Sequence, residues 1–236
     1  MKLHFRRISK PIAIIIACSL LAAIIGIPTA LILRAAHQKQ LNHALIDAIE
    51  ASDTPAALAA LKAGANPDSR MYQFGDTIVE EGEQVPTALI ITLVQGDPGK
   101  NQTSNAQNRK EPMELVKALL DKGANPHLVD EFRVATPLLY AAEAGYDNCV
   151  RLLLQHGADV NVKGSGESPL FVAAINNHPS TVQLLLDYGA NVNIDNGDGT
   201  VLEFIDDLPN IRPEIKAILR KSGAKTSKER DAGAKR

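Results

Sequence analysis

Residues 135–161 read ATPLLYAAEAGYDNCVRLLLQHGADVN, and this stretch decides the fold. Thr136 and Pro137 are typical of a helix start, because a threonine side chain accepts hydrogen bonds from free backbone N–H groups and proline is preset for the first helical position. Gly145 ends this short helix, and Asp147 is placed to cap a second one. The stretch therefore predicts two short helices joined by a tight turn.

The second helix carries an apolar stripe and ends at a glycine. Val150, Leu153 and Leu154 recur at helical spacing and so share one side of the helix. Gly157 follows, and glycine tolerates the left-handed backbone conformation that commonly ends a helix. A single helix pair cannot bury its apolar side, so neighbouring copies must supply the core.

Similar units recur along the chain. A helix-ending glycine is found at Gly64, Gly123, Gly157, Gly189 and Gly223. From the second of these onward the intervals are 34, 32 and 34 residues. A related five-residue sequence, called a tag below, begins at each of these glycines. The tags are GANPD at 64–68, GANPH at 123–127, GADVN at 157–161, GANVN at 189–193 and a degenerate GAKTS at 223–227. The chain is therefore expected to be a stack of repeats.

The helix pair, the tags and the spacing resemble the ankyrin repeat, whose pattern includes TPLH and HGADVN. Leu139 stands where the histidine of that pattern would be. The resemblance implies an all-α ankyrin-repeat solenoid of about five helix pairs with β-hairpin loops, and a role in binding. The expected ankyrin domain spans 41–223, with repeats at about 41–68, 86–127, 135–161, 167–193 and 200–223.

The N-terminal segment is predicted to anchor the chain in a membrane. Residues 1–10 are basic, and residues 11–33 contain no charged side chain. Twenty-three helical residues extend about 35 Å, which is enough to cross the hydrocarbon core, so 11–33 is expected to be one transmembrane helix. A cleaved signal or lipoprotein and a buried globular helix stay open as alternatives.

The charges that flank this segment predict its orientation. Four basic residues precede it and two follow it within residues 34–40. The positive-inside rule then makes residues 1–10 cytoplasmic and places the repeats in the periplasm of a single-pass inner-membrane protein. Repeats that face the cytoplasm, and a cleaved and secreted protein, are the alternatives.

The charge distribution limits the class of partner. Residues 41–219 contain 12 basic and 25 acidic side chains, which disfavours nucleic-acid binding because a phosphate backbone requires a basic surface. This surface favours a partner with a basic face, although an acidic surface that only maintains solubility remains open. Residues 224–236 have no apolar periodicity and are predicted to be a disordered basic tail.

No catalytic residue, cofactor site or metal site is predicted. The stretch 96–100, GDPGK, lacks the spacing of a phosphate-binding loop, and the six histidines are dispersed. Cys149 lies on a predicted helix and is expected to be a buried thiol. The protein is therefore not expected to be an enzyme.

One insertion precedes the second repeat and another interrupts it. Residues 69–85 carry two apolar runs around Gly75-Asp76, which predicts a long β-hairpin with Tyr72 and Phe74 on one face. A mobile acidic loop is the alternative. Residues 97–111 are polar and rich in asparagine, and they predict a loop between the two helices.

The resemblance also assigns a binding surface. Ankyrin proteins usually bind through the hairpin tips and the exposed side of the first helices. The positions that correspond here are Phe132, Arg133, Glu143, Glu167, Ile175, Asn176, Asn196 and Asp198, and the long hairpin adds Tyr72 and Phe74.

The expected function is that of a monomeric scaffold or helper that binds another protein at the inner membrane. Two alternatives remain: an immunity-type inhibitor of a toxin that acts in the periplasm, and an accessory subunit of a periplasmic enzyme such as a catalase. An adjacent toxin gene would favour the first alternative, and an adjacent oxidoreductase gene would favour the second.

Overall fold

The computed structural model describes residues 31–70, 73–74, 77–78, 86–96, 111–130, 133–195, 199–206 and 208–234. Within these ranges the chain forms eleven helices and one short hairpin. The helices are α1 (31–50), α2 (Thr54–Ala63), α3 (Ala88–Gln95), α4 (Met113–Asp121), α5 (Pro137–Ala144), α6 (Asp147–Gln155), α7 (Pro169–Ile175), α8 (Pro179–Asp187), α9 (Val201–Asp206), α10 (Pro213–Lys221) and α11 (Ser227–Ala234). The strands are β1 (Gln73–Phe74) and β2 (Thr77–Ile78).

Helices α2 to α10 form two packed rows. Helices α3, α5, α7 and α9 contact one another in sequence, and so do α2, α4, α6, α8 and α10. Within each unit the first helix also packs against the second, for example α5 against α6 and α7 against α8. One continuous apolar core runs through the stack, from Leu45 in α1 to Leu219 in α10. This arrangement is the all-α repeat solenoid that the sequence predicts.

The repeated glycines end the second helices as expected. All five adopt a positive φ, between 86° and 102°. The alanine that follows each glycine bonds back to the helix; Ala158, for example, donates its N–H to the carbonyl of Leu153 at 3.0 Å. The second helices thus end in closed turns of the same kind.

A ladder of side-chain hydrogen bonds ties the repeats together along the hairpin side. In each case a carboxylate or amide oxygen of one tag accepts the backbone N–H of the corresponding tag in the next repeat. The bonds of this kind join Asp68 to Asn125, Asn161 to Asn191 and Asn193 to Lys225, each at 2.7 Å. The polar residues of the GANPD, GADVN and GANVN tags therefore fix the distance between neighbouring hairpins.

The two expected helix caps have different outcomes: Thr136 is the N-cap residue of α5 as predicted but its side chain makes no cap bond, and Asp147 is not a cap. The side chain of Thr136 makes no cap bond to α5, and its hydroxyl is buried with no hydrogen-bond partner among the residues that the structure describes. Asp147 is the first residue of α6 rather than its cap, and its Oδ1 accepts the hydroxyl of Thr181 in the next repeat at 2.6 Å. Glu111 of the preceding repeat supplies the missing cap, because its Oε1 accepts the N–H of Cys149 at 2.5 Å.

The insertion 69–85 contains the predicted hairpin turn. Strand β1 pairs with β2 in the antiparallel sense, with Gln73 opposite Ile78 and Phe74 opposite Thr77. Residues 75 and 76, between the two strands, lie outside the described residues. Most other positions of the insertion, and residues 97–110 of the polar loop, lie outside the described residues.

The C-terminal segment differs from the prediction. The sequence predicts a disordered tail over 224–236, whereas the structure has helix α11 over Ser227–Ala234. The helix has no apolar stripe, which is why its pattern went unnoticed. Polar contacts hold it to the last repeats instead; for example, Arg230 donates to the carbonyl of Asn193 at 3.3 Å.

The predicted transmembrane segment, 11–33, falls outside the described residues except for its last three positions. In the part of the chain that the structure describes, no helix combines the length and the apolar character required to cross a membrane.

Candidate protein-binding site

A groove lies on the first-helix side of the stack, between the third and fourth repeats. Its volume is about 320 Å³. Helices α5 and α7 and the two hairpins that precede them supply its walls. It is lined by Arg133, Ala135, Leu139, Glu143, Gly164, Ser165, Glu167 and Val172. Three of the ten predicted binding residues, Arg133, Glu143 and Glu167, therefore meet in one place.

The tight turn before α7 places Glu167 at the groove. Gly164 and Glu167 exchange two backbone hydrogen bonds of 2.9 Å. Ser165 and Gly166, between them, both have a positive φ, of 50° and 92°. Two central residues of this kind are typical of a type I′ turn, the tight turn that matches the twist of a hairpin. The turn is thus a rigid support for the Glu167 side chain.

The two hairpins that flank the groove are in close contact. The hydroxyl of Ser165 donates a hydrogen bond to the carbonyl oxygen of Arg133. A Cβ atom on Gly164 would lie 2.5 Å from the carbonyl oxygen of Val134, which is closer than real Cβ atoms approach. Only glycine fits at position 164, so the groove has a fixed width on this side.

Arg133 is held over the groove from several sides. Its guanidinium Nη1 lies 3.0 Å from Oε2 of Glu143, and its Cζ lies 5.3 Å from the centre of the Tyr140 ring. Its backbone N–H donates to Oδ1 of Asp130 at 2.7 Å. The hydroxyl of Tyr140 donates to the other oxygen of the same carboxylate. The side chain of Arg133 is 51% exposed, so it is oriented by the protein and still open to solvent.

Tyr140 stays protonated in this network. Burial, followed by the hydrogen bond and the negative charge of Asp130, raises the pKa of Tyr140 well above its ordinary value. Asp130 itself is only 1% exposed, and the hydroxyl of Tyr140 and the N–H of Arg133 compensate for its burial. The buried carboxylate of Asp130 thus joins the Tyr140 hydroxyl to the backbone of Arg133 in a closed polar cluster at the base of the hairpin.

Val134, at the tip of the same hairpin, is a residue that the sequence analysis missed. It adopts a φ of 50°, and its side chain is 51% exposed. A left-handed conformation is costly for a β-branched residue, at about 1–3 kcal/mol. Packing against the stack does not explain an exposed valine in a strained backbone. Such strain tends to mark functional sites, so Val134 is included in the candidate site.

The groove combines an apolar floor with charged walls. Leu139 and Val172 are buried and provide the floor. The charges of Arg133 and Glu143 compensate each other, whereas the half-exposed carboxylate of Glu167 has no ion-pair partner within the described ranges. The net charge of the groove walls is therefore negative. Such a surface suits a partner segment that combines an apolar side chain with a positive charge.

The other predicted binding residues are not brought into the groove by the described structure. Ile175 is half-buried and packs against the core, and Asn176 donates its side-chain amide to the carbonyl of Val172 at 2.8 Å. Tyr72, Phe132, Asn196 and Asp198 lie outside the described residues, as does the side chain of Phe74. A binding role for all ten residues stays a prediction.

Neither metal chemistry nor a reactive thiol is evident at the described positions. No group of three or more His, Cys, Asp or Glu side chains there is arranged to hold a metal ion. Cys149 is fully buried, which confirms the sequence prediction. Burial, followed by the negative charge of Glu111, raises the pKa of the Cys149 thiol above its ordinary value. The thiol is thus kept in its unreactive form.

The comparison with known families agrees with this architecture. Residues 105–196 match the family model described as ankyrin repeats, in three copies. This segment consists of ankyrin repeats. The matched ankyrin segment includes helices α4 to α8 and the whole groove. Ankyrin repeats indicate a protein–protein interaction module. No curated protein matches the chain.

Proposed function

We propose that this protein is a monomeric scaffold or helper that binds another protein through the groove between its third and fourth repeats. A single observation carries the proposal. Arg133, Glu143 and Glu167, which come from three separate elements, converge on a preformed groove beside a strained and exposed Val134. A surface built in this way favours binding because little of it must be ordered when the partner arrives.

The proposal includes a location. The charge-free segment 11–33 anchors the chain in the inner membrane, and the excess of basic residues before it directs the repeats to the periplasm. The partner is then a periplasmic protein, or a membrane protein with a periplasmic face. The negative charge over residues 41–219 favours a partner with a basic contact surface.

Photo-crosslinking in the intact membrane tests the binding surface. A photoreactive amino acid replaces either Arg133 or Glu167 in the groove. Matched controls replace Arg151 in α6 or Gln183 in α8, both exposed on second helices. We expect the groove positions to yield one shared adduct that the controls do not yield. Equal adducts from all four positions, or adducts from the controls alone, would place the partner elsewhere.

A reporter fusion tests the location separately. An enzyme that is active only outside the cytoplasm, fused after Arg236, should be active. A fluorescent protein that matures only in the cytoplasm should be dark at the same position. The opposite pattern would show repeats that face the cytoplasm, whatever the result of crosslinking.

A further inference from the structure

The N-terminal part of α1 projects from the repeat stack. Residues 31–40 are helical and exposed, whereas residues 41–43 are half-buried. Further along the same helix, Leu45 and Ile46 are buried in the core of the first repeat. The helix continues from its exposed part into its buried part without a break. α1 is therefore both the first helix of the stack and a rod whose first seven residues, 31–37, extend about 10 Å beyond it.

The tip of this rod is apolar on several sides. Leu31, Ile32 and Leu33 are 59%, 66% and 69% exposed. Successive residues of an α-helix point about 100° apart, so these three side chains cover an arc of about 200°. A helix that docks on one protein surface needs an apolar stripe about 100° wide, which is the pattern seen around Leu45 and Ile46. A tip that is apolar over a wider arc suits an apolar solvent rather than a single docking surface.

Basic residues follow directly after the tip. Arg34 is the next residue, and His37 and Lys39 lie within about the next two turns. No acidic side chain occurs before Asp47, and residues 11–30 carry no charge. An apolar stretch that ends in basic residues matches the edge of a bilayer, where long basic side chains extend from the hydrocarbon to anionic head groups.

We infer that residues 31–34 lie at the edge of a bilayer of anionic lipids and that α1 is a rigid stalk that holds the first repeat there. The inference rests on the membrane anchoring in the proposed function, and it adds a fixed distance between the membrane surface and the first repeat. Gln38 already belongs to the stack, because its Nε2 donates to the carbonyl of Gly64 at 2.9 Å. Gln38 is five positions after Leu33, or about 8 Å along the helix. The repeats thus start close to the head groups, with no flexible linker between.

Spin labels on the full chain test the position of the tip. The chain is reconstituted in vesicles of phosphatidylethanolamine and phosphatidylglycerol, in a Cys18→Ser background in which Cys149 is buried. Single labels are introduced by Leu31→Cys, Ile32→Cys and Leu33→Cys, and by Gln40→Cys as the aqueous control. At the three tip positions we expect collisions with oxygen to exceed collisions with a water-soluble nickel chelate, and we expect the reverse at the control.

The other outcomes overturn the inference in recognisable ways. Nickel access at all three tip positions would show a tip in water. Protection of one or two positions from both reagents would show a one-sided contact with a second copy or another protein. If the chain does not float with the vesicles, the anchoring itself fails. If it floats and the tip is in water, anchoring stands and only the stalk inference fails.

A distance measurement tests the rigidity. Labels introduced by Ala35→Cys and Ser222→Cys report the separation between the rod and the exposed end of α10. The matched control has Gly-Ser-Gly-Ser inserted between Ala36 and His37. We expect a narrow distance distribution in the native chain and a broad one in the control. Equally broad distributions would show that α1 is not a rigid stalk.

Discussion

Ser227 at the start of α11 is bound to Glu203 in α9 by two hydrogen bonds, one from its N–H and one from its hydroxyl, each of 2.8 Å. The same carboxylate accepts the N–H of Thr200 at 2.9 Å. One side chain of the last repeat thus links its own helix start to the C-terminal helix. Because all these groups donate, only an ionised carboxylate satisfies them together.

This relationship predicts a specific response to acid. The hydrogen bonds from the N–H of Thr200 and from Ser227 lower the pKa of Glu203 from 4.5 to about 2. The ionised form is favoured in the folded state, so its stabilising contribution is complete above about pH 4.5 and is lost as the pH falls towards about 2.

The variant Glu203→Gln should therefore melt at a lower temperature than the wild type at pH 7, and its melting temperature should fall less between pH 4.5 and 2. Thermal unfolding followed by circular dichroism gives both values. Glu214→Gln, at an exposed position of α10, is the control and should behave like the wild type. Parallel pH profiles for the wild type and Glu203→Gln would contradict the role of Glu203.

The packing of the stack makes a prediction about Leu153. This residue is fully buried in the shared core. Leu153→Ala should lower the free energy of unfolding by about 2–5 kcal/mol, because it removes apolar contacts and leaves a cavity. Arg151→Ala, on the exposed side of the same helix, should change it by less than about 0.5 kcal/mol. Urea denaturation measures both, and similar values for the two variants would refute the orientation of α6.

The sequence predicts those parts of the fold that depend on neighbouring residues in the chain. The helix-ending glycines and the pairing of strands β1 and β2 are local features. They follow from backbone preferences, and the structure agrees with both. Thr136 occupies the predicted N-cap position of α5, although its hydroxyl makes no cap bond. Asp147 is wrong as a cap because its assignment assumed a local partner. Asp147 instead reaches Thr181 in the next repeat, at a distance that no single-repeat pattern encodes.

In the candidate site, too, the sequence does not predict features that depend on contacts between repeats. Arg133, Glu143 and Glu167 could be assigned from the resemblance because the repeat places Arg133 and Glu167 in hairpins and Glu143 on a first helix. Val134 could not, since the sequence does not show its positive φ. Gly164 offers a weak signal, a glycine two residues before another glycine, but the reason for it is a close approach to the hairpin of the previous repeat. Helix α11 went unnoticed for a similar reason, since the carboxylate that holds it is 24 residues away.

The unpartnered hydroxyl of Thr136 predicts an unusual outcome for a buried polar group. Thr136→Val should keep or raise the stability, because the hydroxyl is buried and makes no hydrogen bond within the described part of the chain. Thr87 is the matched control, since its Oγ1 accepts the N–H of Ile90 at 3.4 Å. Thr87→Val should lower the free energy of unfolding by about 0.5–2 kcal/mol. If Thr136→Val lowers the free energy of unfolding as much as Thr87→Val does, the hydroxyl of Thr136 has a hydrogen-bond partner.

The strain at Val134 predicts a gain in stability on substitution. Asparagine tolerates the left-handed conformation better than valine, so Val134→Asn should raise the free energy of unfolding by about 1 kcal/mol. The control Ala144→Asn places the same side chain at an exposed position within helix α5. It should lower the free energy of unfolding, because asparagine is a poorer helix former than alanine. Differential scanning calorimetry distinguishes these effects. A lower melting temperature for Val134→Asn would show that the backbone at this hairpin is not strained.

The most direct test of the central claim is the affinity of the groove for the partner recovered by crosslinking. Titration calorimetry compares the wild type, the groove variants Glu167→Gln and Val134→Ala, and the control Glu214→Gln. We predict that at least one groove variant raises Kd about 30-fold, or about 2 kcal/mol, without a lower melting temperature, and that the control leaves Kd unchanged. Unchanged Kd values for both groove variants would contradict the claim that this groove binds the partner.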